Sequence, residues 1–122
     1  MEITALLARL LIIIIALLHL YILVLEMFLW TTRGPKVFKS IPKNLFEPTK
    51  KLAANQGLYN GFLAAGLIWS VCISNPEWSG NVSAFFLGCI AIAGVYGTYS
   101  AHRNILYIQT IPAVAALVLM FV

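Results

Sequence analysis

Glu26 is the one acidic side chain within a long apolar run, residues 3 to 30, and its chemistry depends on what meets it there. A carboxylate facing lipid is expensive, so such groups turn toward neighbouring helices, where they bind ligands, relay protons or accept hydrogen bonds. His19 stands seven residues earlier, two helical turns away and so on about the same face. It could shuttle a proton or pair with the carboxyl through water. A second polar set, Asn55, Gln56, Tyr59 and Asn60, opens another apolar run. Side-chain amides left unpaired in hydrocarbon are costly, so these are expected to sit against something, and Glu26 is a suitable acceptor. Two readings stay open. The set is a ligand-binding or catalytic site, or it is a polar clamp in which Glu26 bonds the amides and fixes helix pairing. For His19 alone, a satisfied packing histidine is the favoured reading.

The elements that must position these groups follow from composition. The chain has 122 residues, 61% hydrophobic and only 10% charged. Soluble domains carry about 25% charged residues, so the expectation is one integral membrane domain over 1–122. Its net charge of +4 is gathered at one loop rather than on a face, which argues against nucleic-acid binding. Four transmembrane helices are predicted, at about 3–30, 52–74, 82–100 and 105–122, giving an all-α four-helix transmembrane bundle. Between the first two lies a basic loop, 31–48, with Arg33, Lys36, Lys39 and Lys43, followed by Lys50 and Lys51. Pro35, Pro42 and Pro48 exclude one continuous helix there, and its apolar residues suit a headgroup surface. Trp30 reads as part of the interfacial belt. Asn75 to Gly80 reads as a turn without Lys or Arg, and Arg103 lies in the last loop. All three loops agree on cytoplasmic basic segments with both termini outside. A cleaved leader is not expected, since the first run exceeds a usual signal core and Glu26 interrupts it.

Depth gathers the polar groups. On a rise of about 1.5 Å per residue, Glu26 lies about 10 Å inward of Arg33, and Asn60 about 14 Å inward of Lys51. Asn55 and Gln56 lie roughly 6–8 Å in, and Gln109 roughly 9 Å from Arg103, with Tyr96 at a similar level. A shared polar layer in the cytoplasmic leaflet is therefore expected. Gly57, Gly61 and Ala65 form a small stripe on the second helix, as do Ala93, Gly97 and Ala101 on the third, the usual means of close helix packing. They also leave room for a homo-oligomer. Pro112 is expected to free backbone groups near Gln109 and kink the last helix. Cys72 and Cys89 sit in apolar runs as packing residues rather than as a disulfide. No metal is expected.

Several stretches are familiar. Glu26-Met27 near a Trp, Asn55-Gln56-Gly57-Leu58-Tyr59-Asn60-Gly61, Ala93-Gly94-Val95-Tyr96-Gly97 and Gln109-x-x-Pro112-Ala113 resemble a family of small bacterial integral membrane proteins catalogued as a domain of unknown function. That resemblance covers nearly the whole chain and implies a multi-pass protein of the bacterial plasma membrane, with no activity attached. A remoter resemblance reaches the MAPEG superfamily, four-helix membrane proteins of eicosanoid and glutathione metabolism that assemble as trimers. Glu47, Lys51, Asn55 and Tyr59 fall at matching spacing, while Pro48 and Ala53 replace an expected Arg and Gln. By that resemblance Arg103 would activate a thiol and glutathione would be the cofactor; otherwise no cofactor is expected. Three functions follow from the sequence: a lipid-embedded protein whose polar layer binds a small polar or amphiphilic molecule, a MAPEG-like enzyme, or an oligomeric proton-coupled transporter using Glu26 and His19.

Overall fold

The computed structural model describes residues 2–122, and among them the fold is all-α, without strands. Helix α1 spans Ile3–Phe28, α2 Gly34–Val37, α3 Lys50–Cys72, α4 Pro76–Ser100 and α5 Ile111–Phe121. A 3-10 turn at Lys43–Leu45 and a π-helical stretch at Leu106–Thr110 complete the order. Two helices, α1 and α4, are long and apolar enough to cross a membrane; Leu106–Phe121 is a shorter apolar segment.

The helix ends have local causes. The stretch read as a turn after Asn75 is the start of α4 instead, six residues earlier than expected. Asn75 caps it, its side-chain oxygen accepting from the Trp78 N–H at 3.0 Å, and Pro76 takes the first helical position, where no N–H is missed. In the first turn of α5, Pro112 has no N–H to give and its ring crowds the carbonyl four residues back. The chain responds by widening rather than by a simple kink. The Ile111 N–H reaches the Leu106 carbonyl, which closes a π turn.

The chain divides into two compact units. One comprises residues up to Leu17 together with Leu63–Val122. Its core joins Ile12, Ile15 and Ala16 to Leu67, Leu87, Ile90, Ala113 and Ala116. Thr110 donates from its hydroxyl to the Ala91 carbonyl at 2.9 Å, against Gly94, where any larger residue would meet the Thr110 backbone N at 2.8 Å. Arg9 donates to the Val71 carbonyl at 2.6 Å, satisfying one of the open acceptors at the end of α3.

The other unit is Leu18–Phe62, and it contains the basic loop. The loop is folded on itself. Trp30 stacks on Phe46 at 4.9 Å and Phe38 at 5.3 Å between ring centroids, and its indole N–H donates to Thr49 at 3.0 Å. Phe46 is fully buried, and Gly34 is tight beneath it, with 3.0 Å between a would-be Cβ and the ring. Trp30 is thus an anchor of the loop, a role that a single tryptophan near a helix end does not disclose. Arg33 donates to the Tyr21 hydroxyl at 2.8 Å, tying the loop back to α1.

Candidate functional site

The buried face of α3 alternates in steps of four and three, through Ala53, Gly57, Asn60, Ala64 and Leu67. Asn60 is the polar member of that stripe, and it is 6% exposed. Glu26 on α1 meets it, its carboxylate accepting from the Asn60 amide at 2.7 Å. The approach is possible because Gly57 is beside it. A Cβ at Gly57 would stand 2.8 Å from Met27 Cγ, 3.0 Å from Glu26 Cβ and 3.1 Å from the Leu23 carbonyl oxygen. Gly61 is equally closed off by the Leu23 side chain. Two glycines therefore set the spacing beside the acid–amide pair.

Asn60 also donates to the Gln56 carbonyl at 3.2 Å. Both of its neighbours are acceptors, so the NH2 group and not the oxygen must face them, and both amide hydrogens are engaged. Chemically this is a two-point tie, one bond to α1 and one to its own helix.

The remaining sequence-predicted residues are distributed as follows. His19 is fully buried in the same unit as Glu26, two turns earlier on α1. Asn55, Gln56 and Tyr59 are exposed on α3, so of the amides proposed as donors to Glu26 only Asn60 takes that role. The reason is register: Asn55 lies two residues from Gly57 and from Ala53, off the buried stripe, while Gln56 contributes its backbone carbonyl. Tyr96, Arg103 and Gln109 belong to the other unit. Tyr96 and Arg103 are exposed, and Gln109 is half-buried with its Cβ against Gly94. Cys72 and Cys89 are free thiols.

Sequence reasoning passed over one feature of the Leu18–Phe62 unit. An open groove of about 480 Å³ lies between the end of α1 and the start of α3, lined by Met27, Glu47, Pro48, Lys50, Lys51, Leu52 and Ala54. The signal was present as two lysines placed directly before the apolar run of α3, but a topology rule accounts for lysines there without any groove.

Residues 13–121 match the family described as protein of unknown function DUF1304. The chain belongs to the DUF1304 family. The match takes in Glu26, Asn60, Gly57 and every groove residue, so the site lies inside the family's domain. The chain is also similar to the uncharacterized protein YpaA of Lactococcus lactis subsp. lactis (strain IL1403), with 27% identity over 110 residues, covering 88% of this chain and 91% of YpaA. No solved structure matches. These likenesses carry membership and no activity.

Proposed function

We propose that this DUF1304 protein is a multi-pass integral membrane protein of the bacterial plasma membrane that holds an amphiphilic molecule at the cytoplasmic face, beside helices pinned by Glu26 and Asn60. The single observation that carries the reading is the groove's mixed lining. Lys50, Lys51 and Glu47 supply charge, and Met27, Leu52, Pro48 and Ala54 supply apolar walls. An amphiphile needs both. The Glu26–Asn60 bond of 2.7 Å supports a clamp that keeps α1 and α3 at the spacing this groove requires.

Membrane residence is supported by exposure. Only 28% of the apolar window of α1 and 22% of that of α4 is buried, whereas the apolar core helix of a soluble protein would be mostly covered. In this reading four segments cross: α1, α3, α4 and the run from Leu106 to Phe121. Helix α3 has 23 residues, about 35 Å at 1.5 Å each, enough to span although its amides and lysines lower its hydropathy. The loop charges set the basic loop cytoplasmic and both termini outside, and a relative in Lactococcus lactis supports a bacterial setting.

The test is native mass spectrometry of the full chain released from detergent micelles with a panel of lipids and small amphiphiles. Retained adducts are expected, and Ala54→Trp, which fills the groove, should remove them. Absence of any adduct from the unaltered protein sinks the reading. A proton-coupled carrier keeps one observation in its favour, the fully buried His19 on the α1 face that carries Glu26. It requires pH-driven flux in proteoliposomes that Glu26→Gln abolishes.

A further inference from the structure

We infer that the groove selects an anionic phospholipid, with the lipid phosphate held between Lys50 and Lys51; the inference rests on the amphiphile reading and names its ligand class. The argument is one of charge and level. Lys50, Lys51 and Glu47 are the charged residues that line the groove, and all three are exposed, so no burial keeps a phosphate from the two ammonium groups. Their stretch of chain is strongly basic. Arg33, Lys36, Lys39, Lys43, Lys50 and Lys51 stand against Glu47 as the one acid between residues 31 and 54, so the local field favours a net negative headgroup.

The apolar lining lies at the complementary level. Leu52 and Ala54 follow the lysines along α3, about 2–6 Å further along the helix at 1.5 Å per residue. Leu52 is 72% exposed, so its side chain is open to hydrocarbon laid along the groove. A phospholipid with its phosphate at Lys50 and Lys51 would lay the upper part of its acyl chains along Leu52, Ala54 and Met27. A soluble anion would use the lysines and leave that wall bare. Glu47 opposes the phosphate's charge, so the two lysines must outweigh it.

A general basic surface would also attract anionic lipid, at about fivefold per lysine, so position must be separated from charge. The experiment titrates the detergent-purified full chain with phosphatidylglycerol, phosphatidylethanolamine and phosphatidylcholine of matched acyl chains, reading adducts by native mass spectrometry. Phosphatidylglycerol should be retained above the other two. Lys50→Gln and Lys51→Gln should each lower that retention about fivefold and leave phosphatidylcholine unchanged. Lys36→Gln and Lys39→Gln, which remove the same charge outside the groove, should leave the preference intact, and Glu47→Gln should keep or strengthen it. Circular dichroism on each variant confirms that the helices are retained. Equal loss from Lys36→Gln and Lys50→Gln, or a drop on Glu47→Gln, overturns the inference. So does retention of phosphatidylcholine or phosphatidylethanolamine at the level of phosphatidylglycerol, although the amphiphile reading then stands. If none of the three lipids adheres, the inference falls, and the amphiphile reading falls with it only if the wider panel of small amphiphiles gives no adduct either.

Discussion

Asn60 has two amide hydrogens and two acceptors in reach, the Glu26 carboxylate at 2.7 Å and the Gln56 carbonyl at 3.2 Å. Of these, the Gln56 carbonyl is a backbone group within α3, so the bond to Glu26 is the one that joins two helices. Side-chain bonds between membrane helices contribute modestly, about 0.6 kcal/mol on average and up to about 1.7 in double-mutant cycles. The cycle formed by Glu26→Ala, Asn60→Ala and the pair should therefore give a coupling of about 0.5–2 kcal/mol in reversible unfolding from mixed micelles. Glu26→Gln keeps an acceptor oxygen in place and should cost less than Glu26→Ala. Near-zero coupling would remove the clamp, and with it the role assigned to Asn60. Sequence alone brought Glu26 and the amide stretch together but did not choose among Asn55, Gln56 and Asn60. The choice depends on which face of α3 is buried, and the three residues fan over about 140° of the helix circumference, too wide for all of them to meet one partner.

At the scale of elements, glycine has different meanings at different sites. Gly57 lies against Met27, Glu26 and the Leu23 carbonyl, whereas Gly88 on α4 has open space where a Cβ would go. Gly57→Ala must displace a backbone oxygen 3.1 Å away as well as side chains, and overpacking of this kind costs about 1–3 kcal/mol. Gly88→Ala should be neutral or stabilising by up to about 1 kcal/mol, from helix propensity alone. Thermal unfolding of the two variants in one detergent checks both signs together. The glycine stripes were legible as packing devices; which glycines are closed and which open was not, because that depends on the neighbour and not on the glycine. Pro112 shows the same limit. A break near Gln109 was readable, but whether a helix kinks or widens into a π turn depends on the surroundings, here Thr110 bonded to Ala91 beside Gly94. Pro112→Ala restores the missing N–H and should convert Leu106–Thr110 toward α-helix, seen as slower amide hydrogen exchange across residues 106–112.

For the whole chain, the all-α character and the basic loop were readable from composition and proline spacing. The fold of the loop was not, since Trp30, Phe38 and Phe46 are separated by eight residues each and only tertiary structure stacks them. Orientation rests on the same loop. If Lys and Arg set the topology, residues flanking α3 must lie on opposite sides of the membrane: Ser40 with the basic loop, Ser74 just past Cys72. Both are exposed and bonded to nothing that a thiol would disturb in the groove. In a chain whose Cys72 and Cys89 are replaced by serine and alanine, Ser74→Cys should react with a membrane-impermeant maleimide in intact cells. Ser40→Cys should react only after permeabilisation. The reverse pattern would overturn the orientation, and labelling of both in intact cells would mean that α3 does not cross. Replacing Lys36, Lys39 and Lys43 with glutamine should leave a mixture of orientations, because the charge difference across α3 then depends on Arg33, Lys50 and Lys51. Because that triple variant retains every lining residue of the groove, and a detergent micelle has no sides, its preference for phosphatidylglycerol in detergent should stay intact while its orientation in cells becomes mixed.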